Sequence, residues 1–263
     1  MREIIYDVGV NDGCDTAYYL HKGFRVVGIE ASPVAAQRLR ERFAAEIADG
    51  SFILLNIGIA AEAGEFPFWI CDDHPEWSSF DPDIASRQSC KHHSVNVITA
   101  TFSDVVAEYG VPYFCKIDIE GNDALCVEGL TPLTAPPYIS IELNPLTESA
   151  IWKLAKLGYT GFKIISQNTL ATPNRLISTA ILNLPSGKLL YPCMGLERRL
   201  RGRLKDGDWR FAFGSSGPFA EETGGKWETE RHVTELWHSL RKLNAKWKVN
   251  DGGGDWYDLH AKL

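Results

Sequence analysis

Two segments near the start of the chain carry residue types and spacings that suit a nucleotide-containing cofactor. One apolar run leads into Asp7-x-Gly9-x-Asn11-x-Gly13, and a second apolar run ends at Glu30. Glycines in such a turn let the backbone approach a ligand closely, and the helix that follows points free N–H groups at the ligand. An acidic side chain at the end of the next strand accepts hydrogen bonds from ribose hydroxyls. Together the two segments predict a cofactor site.

The residue at position 11 separates two classes of cofactor. Dinucleotide-binding loops favour glycine where the pyrophosphate comes close, whereas this chain has Asn11. The spacing is instead similar to the first motif of class I S-adenosylmethionine-dependent methyltransferases. Taken alone, Gly9 and Gly13 are also compatible with a tight strand-to-helix turn that binds nothing.

A second group of reactive side chains follows a later apolar run, in residues 113–123. Asp118 and Glu120 are two positions apart, which places both on one face at the end of an extended strand. Carboxylates gathered there can hold a hard cation such as Mg²⁺, act as a general base or accept hydrogen bonds from a cofactor. Asp118 and Asp123 are also candidates for the N-cap of the next helix.

The combination of motifs resembles the FkbM family of class I methyltransferases, most of which methylate hydroxyl oxygens. The resemblance is carried by residues 7–13, 116–121 and 139–143, and it covers about residues 4–145. It implies a Rossmann-like α/β fold and S-adenosylmethionine as the cofactor. Asp12 departs from the family pattern, which more often has an uncharged residue at this position.

The resemblance also implies roles for individual residues around the cofactor. Asp7 would bind the amino group of the cofactor directly or through water, and Glu30 would take its ribose. Asn56, at the end of the third strand, would approach the adenine. The full set of cofactor-side candidates is Asp7, Gly9, Asn11, Gly13, Glu30, Asn56, Ser78 and Ser79.

Methyl transfer to a hydroxyl needs a group that takes the hydroxyl proton, and a positioned base contributes roughly 10²- to 10⁴-fold. Alternatively, a divalent cation such as Mg²⁺, bound by Asp118 and Glu120, would lower the pKa of the hydroxyl. The sequence does not decide between a base and a metal ion. The candidates for the base are Asp118, Glu120 and Glu142, with His93 and His74 of the insertion as outside choices.

Alternating strand-like and helix-like patterns predict a doubly wound α/β domain over residues 1–185, with a mostly parallel sheet of seven strands. An insertion at about 60–101 follows the third strand, and we expect it to border the site because loops at strand carboxyl ends line the ligand crevice. The predicted strands lie near 3–8, 25–30, 52–57, 113–119, 138–143, 160–166 and 177–183. The predicted helices lie near 13–21, 33–47, 102–109, 121–129 and 147–157.

Residues 186–263 form a tryptophan-rich C-terminal extension that we expect to pack on this domain. Apolar residues at steps of three and four predict one amphipathic helix over 229–247. Residues 213–225 form a glycine-containing loop flanked by aromatics, which suits either a lid over the substrate or plain packing on the core.

Composition narrows the partners that the protein can have. The formal net charge is −7, and a chain with this balance is not expected to bind nucleic acid. No apolar run reaches about 18 residues, so we expect no membrane span. The six cysteines show no Cys-x-x-Cys spacing, which predicts unpaired thiols in a reducing compartment and a cytoplasmic location. An exposed amphipathic helix in the extension would be compatible with a homodimer.

The sequence therefore predicts an S-adenosylmethionine-dependent O-methyltransferase that acts on a hydroxyl of a small molecule, such as a sugar or natural-product intermediate. Two alternatives stay open at this point. One is a nicotinamide-dependent oxidoreductase with a degenerate glycine loop, which would leave residues 116–121 unexplained. The other is a non-catalytic cofactor-binding module, in which the carboxylates have only structural roles.

Overall fold

A computed structural model describes residues 3–173, 196, 198–200, 202–247 and 256–263. In chain order the strands are β1 (Ile4–Val8), β2 (Arg25–Ile29), β3 (Phe52–Leu55), β4 (Gly58–Ile59), β5 (Gly64–Cys71), β6 (His92–Ala100), β7 (Phe114–Ile117), β8 (Tyr138–Glu142), β9 (Gly161–Ser166), β10 (Lys205–Asp206), β11 (Trp209–Arg210) and β12 (Tyr257–Lys262). The α-helices are α1 (Cys14–His21), α2 (Pro33–Arg42), α3 (Ala44–Ala48), α4 (Pro82–Ala85), α5 (Phe102–Tyr109), α6 (Asp123–Glu128), α7 (Ala150–Lys156) and α8 (Glu230–Trp247).

The main sheet has seven strands in the order β3-β2-β1-β7-β8-β12-β9. Neighbouring strands are parallel except at β12, which is antiparallel to both β8 and β9. Chain order reverses between β1 and β7, the kind of switch point where α/β sheets bind ligands at their carboxyl edge. The predicted α/β fold with a mostly parallel seven-stranded sheet is confirmed.

The seventh strand comes from the end of the chain. The strand predicted at 177–183 lies outside the described residues, and the position between β8 and β9 is filled by Tyr257–Lys262. Five of the six residues of β12 are buried, as expected for a strand that is covered on both faces. The sheet therefore includes residues from the segment that the sequence pattern marks as an extension.

Different parts of the chain cover the two faces of the sheet. On one face the core includes buried residues of α5, α6 and α7 together with Val233, Trp237 and Leu240 of α8. On the other face it includes residues of α1 and α2, and Phe219 and Ala220 pack against them. The predicted amphipathic helix over 229–247 is confirmed as α8.

The insertion forms a small sheet of its own. Strands β5 and β6 pair in antiparallel fashion, and β4 joins β6 in parallel. The loop between β5 and β6 is closed at its base by a disulfide between Cys71 and Cys90, whose Cα atoms are 6.3 Å apart. The prediction of unpaired thiols is wrong for this pair, because the hairpin register places Cys71 opposite His92 and so brings Cys90 within reach.

Cys14, Cys115 and Cys126 carry free thiols. Cys193 lies outside the described residues, and the cytoplasmic location stays a prediction. Among the described helices, none combines the length and apolar composition that a membrane span requires.

Candidate functional site

A cavity of about 1070 Å³ lies at the carboxyl edge of the main sheet. Three parts of the chain form its walls. The strand-end loops contribute residues such as Gly9, Glu30 and Asp118. The insertion contributes residues 74–78 and 87–88, and the C-terminal part contributes aromatic side chains. The cavity therefore lies where the sequence motifs predict that a cofactor and an acceptor meet.

The loop between β1 and α1 requires glycine at two positions. Gly9 has φ 88°, and a Cβ there would lie 1.8 Å from the backbone oxygen of Asp118. Gly13 has φ 80°, and a Cβ there would lie 2.5 Å from the ring of Phe43. Glycine therefore lets this loop pack against the end of β7 on one side and the end of α2 on the other. Gly9 and Asn11 line the cavity, whereas Gly13 supports the loop from behind.

Glu30 stands at the end of β2 with each carboxylate oxygen bound by one backbone N–H. Asn11 N–H donates to Oε2 and Ser32 N–H donates to Oε1, both at 2.8 Å. Burial raises the pKa of Glu30 to about 7, although these two hydrogen bonds favour the charged form. Asn11 has φ 52°, so the loop bends back towards Glu30 at this residue.

Lys116 links the cofactor loop to the carboxylates around it. Its Nζ donates to the backbone oxygen of Gly9 at 2.9 Å and lies 3.2 Å from Oδ1 of Asp7. Asp15 and Asp118 each approach this Nζ to 3.8 Å. Burial alone would lower the pKa of Lys116, but the neighbouring carboxylates, led by Asp7, outweigh burial and hold the pKa above its ordinary value.

Asp7 is fully buried and does not line the cavity. Thr16 Oγ1 donates to its Oδ2 at 2.6 Å, and Lys116 lies beside its Oδ1. The structure thus places Asp7 behind the loop, where it holds Lys116. Lys116 itself lines the cavity and was not among the predicted site residues, although it belongs to the 116–121 motif.

Asp118, Glu142 and Asp258 stand next to one another across three strands. The register of β7 and β8 pairs Ile117 with Ile141, so the next residues, Asp118 and Glu142, lie side by side. The N–H of Asp118 donates to the backbone oxygen of Val8 at 2.9 Å, which keeps Asp118 in the sheet. Asp258 is directly opposite Glu142 in the antiparallel pair of β12 and β8. Residues opposite each other share a face of the sheet. These three residues are called the carboxylate row below.

Burial disfavours the charged forms of two members of the carboxylate row. The pKa of Glu142 lies well above its ordinary range because of burial and then the charges of Asp118 and Glu120. Burial, followed by Asp118, raises the pKa of Asp258 to about 7. Asp118 and Glu142 line the cavity, and Gln167, which also lines it, donates from Nε2 to Oδ1 of Asp258 at 2.8 Å.

Glu120 is held by the insertion. Arg87 donates from Nη2 to Oε2 of Glu120 at 2.7 Å, and Ser79 Oγ donates to its backbone oxygen at 2.5 Å. Burial raises the pKa of Glu120 to about 7 against the opposing effect of Arg87. The guanidinium of Arg87 also lies 4.9 Å from the ring centre of Trp77, which fixes the inner side of the insertion.

Several predicted site residues lie outside the cavity lining. Ser79 is buried behind Glu120, and the side-chain amide of Asn56 donates to the backbone oxygen of Glu30 at 2.8 Å. The His93 ring is 55% exposed and pairs with Asp72 at 2.8 Å, so the structure does not bring it to the carboxylates. Ser78 and His74 do line the cavity, and the His74 ring stacks on Trp77 with centres 4.1 Å apart.

The described residues give no group of three or more His, Cys, Asp or Glu side chains with the arrangement of a metal site. The hypothesis of a divalent cation held by Asp118 and Glu120 is therefore not supported by the geometry. Arg87 already neutralises Glu120, and Lys116 lies beside Asp118.

Residues from the C-terminal part close one wall of the cavity. Phe213, Trp237, Trp256 and Tyr257 line this wall together with Gly214. The adjacent segment is fixed to α1, because Ser215 Oγ donates to Asp15 Oδ1 at 2.5 Å and the Ser216 N–H donates to the same oxygen at 3.0 Å. The sequence pattern does not reveal this role of Asp15, because Ser215 and Ser216 lie about 200 positions further along the chain.

The sequence model described as the methyltransferase FkbM domain matches residues 7–164, which is more than half of the chain. The chain belongs to the FkbM methyltransferase family. The matched range contains the cofactor loop, Glu30, the insertion, and Asp118 and Glu142. Asp258 and the aromatic wall at 213–257 lie outside the range that the FkbM domain covers.

Relatives of this FkbM chain share only parts of it. A probable ribosomal RNA small subunit methyltransferase A from Methanospirillum hungatei is 40% identical over 67 residues, which make up 26% of this chain and 26% of that protein. The chain thus spans about a quarter of this curated relative.

Two solved structures represent the structural matches. The FkbM methyltransferase from Methylobacillus flagellatus has a TM-score of 0.42 and 17% identity, and covers 63% of this chain and 40% of that one. The O-methyltransferase of a trans-AT polyketide synthase from Brevibacillus brevis, solved with S-adenosyl-L-homocysteine, has a TM-score of 0.39 and 10% identity. The match covers 99% of this chain and 66% of that one.

Proposed function

We propose that the protein uses S-adenosylmethionine to methylate a hydroxyl oxygen of a small molecule, with Asp118 as the general base. The observation that carries this proposal is the position of Asp118. Its backbone packs directly on Gly9 of the cofactor loop, and its carboxylate is 34% exposed on the cavity side. Asp118 is therefore placed between the cofactor loop and the rest of the cavity.

The residues around the loop fit the cofactor. Each oxygen of Glu30 accepts one backbone N–H, which leaves a lone pair on each oxygen for the two hydroxyls of a ribose. The backbone of residues 9–12 lines the cavity next to Glu30 and would hold the amino-acid part. Ala31 and Ile57 line the same region and would provide apolar contacts for a base.

When bound, the cofactor supplies an electrophilic methyl group on a positively charged sulfur. The chain has to hold an acceptor oxygen in line with that methyl group, and this positioning accounts for a large share of the rate. The hydroxyl that receives the methyl group would pass its proton to a carboxylate oxygen of Asp118, which would release it to solvent. Lys116 Nζ lies 3.8 Å from Oδ2 of Asp118 and also donates to the backbone oxygen of Gly9, so it links Asp118 to the cofactor loop.

Glu142 is less suited to the role of base. Burial and the neighbouring carboxylates raise the pKa of Glu142 well above its ordinary range, which disfavours the charged form that a general base needs. Glu120 is held by Arg87, and His93 is outside the cavity. Asp118 is thus the member of the predicted set that combines access to the cavity with a position against the cofactor loop.

A small acceptor, rather than a nucleic acid, is supported by charge. Carboxylates line the cavity, and the net charge of the chain is −7, so a polyanion would be repelled. The partly exposed aromatic side chains Trp77 and Trp256 offer flat surfaces for a sugar or a planar ring.

Calorimetric titration of the intact chain with S-adenosylhomocysteine, followed by methyl transfer from S-adenosylmethionine to a panel of hydroxyl compounds, tests the proposal. We expect micromolar binding of S-adenosylhomocysteine. Asp118→Asn should keep this binding and lose roughly 10²- to 10⁴-fold in kcat. Glu65→Gln, which removes an exposed carboxylate on β5, is the charge-matched control and should change neither quantity.

Absence of S-adenosylhomocysteine binding would contradict the proposal, and nicotinamide cofactors would then be titrated to test the oxidoreductase alternative. Full activity of Asp118→Asn would contradict the assigned base. Normal cofactor binding without transfer to any acceptor would favour the non-catalytic module.

A further inference from the structure

The turn that follows Asp118 has a backbone conformation that needs support from its surroundings. Glu120 has φ 48° and Gly121 has φ 114°, and a positive φ is rare for a residue with a side chain as large as that of Glu120. Such a conformation persists only where neighbouring contacts hold it, and residues of this kind concentrate at active sites. The peptide between Glu120 and Gly121 therefore has to be fixed by its neighbours.

Hydrogen bonds hold both ends of this peptide. The N–H of Gly121 donates to Oδ2 of Asp123 at 3.0 Å, and the N–H of Ile119 donates to the other oxygen of Asp123 at the same distance. The backbone oxygen of Glu120 accepts the hydroxyl of Ser79 at 2.5 Å. Asp123 begins α6, directly after the turn, whereas Ser79 belongs to the insertion. The insertion thus supplies one of the two bonds that fix the peptide.

The contacts of Ser79 give its hydroxyl a defined orientation. Its backbone N–H and oxygen pair with the backbone of Trp69 in β5, at 2.9 and 2.8 Å. Its Oγ accepts the N–H of Asp81 at 3.0 Å, so the hydroxyl proton is directed at Glu120. Ser79 is 1% exposed and does not line the cavity. It therefore acts on the site through the turn and not by touching a ligand.

The position of Asp118 depends on this turn. Its N–H donates to Val8 and its backbone oxygen packs on Gly9, so the sheet and the cofactor loop fix the residue on one side. On the other side only Ile119 separates it from the peptide that Ser79 holds. Rotation of that peptide would change the direction in which the chain leaves Asp118. A group misplaced by about 1 Å can lose about 10²-fold in rate.

We propose that Ser79 is a positioning residue for methyl transfer, which holds the backbone oxygen of Glu120 and thereby aims the Asp118 carboxylate at the acceptor hydroxyl. Ser79 then affects the rate of transfer and not the binding of the cofactor. This role differs from the cofactor contact that the sequence predicts for Ser79. The inference rests on the proposed function, in which Asp118 is the general base.

A double-mutant cycle on the intact chain tests the inference, with a hydroxyl compound that the wild-type chain methylates as the acceptor. Ser79→Ala should lower kcat about tenfold, as the loss of one hydrogen bond implies, and should leave S-adenosylhomocysteine affinity within about twofold. In the Asp118→Asn background the same substitution should lower kcat no further, because the carboxylate that Ser79 positions is already absent. Ser86→Ala, which removes another hydroxyl of the insertion, is the control and should keep the wild-type kcat.

Gly121→Ala disturbs the same peptide without changing Ser79, and it keeps the inference testable if Ser79→Ala folds poorly. A Cβ at Gly121 would lie 2.8 Å from Cδ1 of Ile84 and 3.4 Å from Oγ of Ser79, at a φ that alanine rarely adopts. The peptide has to rotate to relieve these contacts. We expect kcat to fall at least about tenfold while S-adenosylhomocysteine affinity stays within about twofold.

The outcomes separate this inference from the proposed function. Wild-type kcat in Ser79→Ala or in Gly121→Ala would overturn the inference. An equal loss of kcat on adding Ser79→Ala to the wild-type and Asp118→Asn chains, or loss of S-adenosylhomocysteine binding in both single variants, would also overturn it. In these cases the wild-type chain still methylates the acceptor. If the wild-type chain binds no S-adenosylhomocysteine or methylates no compound, the proposed function fails and this inference fails with it.

Discussion

Under the proposed function the cavity has a cofactor half and an acceptor half, and these two halves are built in different ways. The cofactor half consists of the loops after β1 and β2, which lie within about the first 35 residues, and its key contacts run through the backbone, as between Glu30 and the N–H groups of Asn11 and Ser32. The acceptor half joins the insertion, the ends of β7 and β8, and residues 213–257. Its contacts are made by side chains from distant parts of the chain.

This difference suggests that the halves respond differently to mutation. Backbone contacts in a tight loop tolerate no added atoms, so changes in the cofactor half should be severe and local. The acceptor half is held by several separate links, namely the Cys71–Cys90 disulfide, the Arg87–Glu120 pair and the Asp15–Ser215 hydrogen bond. Loss of one of these links should increase the mobility of the segment that it holds and leave cofactor binding unchanged.

Gly9→Ala should have the largest effect on S-adenosylhomocysteine binding, because the cofactor half has no space for an added side-chain atom at this position. The new Cβ would lie 1.8 Å from the backbone oxygen of Asp118, so the loop has to move. We expect no measurable S-adenosylhomocysteine binding by calorimetry. Gly23→Ala is the matched control, because Gly23 has nearly the same φ, 86°, with nothing within 4 Å of an added Cβ. Equal loss in both variants would show that backbone strain, rather than the contact with Asp118, is responsible.

Glu30→Gln should produce the next largest effect on S-adenosylhomocysteine affinity. The pH dependence of that affinity tests whether Glu30 is the group that titrates. Burial raises the pKa of Glu30 from 4.5 to about 7, so its contribution to folding stability is present below pH 4.5 and is lost as pH rises through about 7. Cofactor affinity should change in the opposite direction as pH rises, because the charged form of Glu30 is the better acceptor for ribose hydroxyls. S-adenosylhomocysteine affinity should therefore increase from pH 6 to pH 8.

Calorimetry at pH 6, 7 and 8 checks this expectation. Glu30→Gln should weaken binding by roughly 10- to 100-fold at pH 8, the range for hydrogen bonds to a charged group, and should flatten the pH dependence. Glu65→Gln should behave as wild type. A pH dependence that persists in Glu30→Gln would assign the titration to another group of the cavity.

The cofactor half was also the half that the sequence could predict. The predicted strands near 3–8 and 25–30, the glycine loop and Glu30 all lie within one continuous stretch, where periodicity and spacing report directly on structure. Asp7 is the exception, because its burial behind Lys116 depends on the pairing of β1 with β7, across more than a hundred residues.

The acceptor half could be predicted only in part. Asp118 and Glu142 were identifiable because each follows an apolar strand pattern. Asp258 was not, because the insertion of β12 between β8 and β9 is a tertiary choice that a six-residue pattern at the chain end does not reveal. Arg87 lies in an irregular loop, and only the folded hairpin brings it to Glu120.

Removal of the Cys71–Cys90 disulfide should make the insertion more mobile and leave cofactor binding unchanged. In the double variant Cys71→Ser with Cys90→Ser, the loop over 72–91 is still closed by the β5–β6 hairpin, so we expect a local rather than a global effect. Hydrogen exchange in this loop should become about tenfold faster. S-adenosylhomocysteine affinity should stay within about twofold of wild type, a change well below 1 kcal/mol.

Mild reduction of the wild-type protein is the parallel experiment, since it breaks the same bond without changing the side chains. Exchange in residues 72–91 should then match that of the double variant. Weakened cofactor binding in either sample would show that the two halves are coupled through the insertion and do not respond separately to mutation.

Ser215→Ala should have the smallest effect and tests the wall formed by the C-terminal part. The variant loses the hydrogen bond to Asp15, which is worth about 1 kcal/mol, and the longer one that Ser215 Oγ accepts from the Gly217 N–H at 3.3 Å, while the Ser216 N–H still donates to Asp15. Hydrogen exchange over 211–217 should rise about fivefold, as that energy implies. Ser239→Ala on α8, whose hydroxyl donates to the backbone of its own helix, is the control and should leave this segment unchanged.

The same variant decides whether the C-terminal wall is a lid. If Ser215→Ala increases exchange over 211–217 and S-adenosylhomocysteine reverses that increase, then cofactor binding is transmitted through Lys116 and Asp15 to the wall, since Lys116 contacts both the loop oxygen of Gly9 and Asp15. Exchange that does not respond to the cofactor would mean that residues 213–225 simply pack on the core. In that case the two halves of the cavity share walls but act independently.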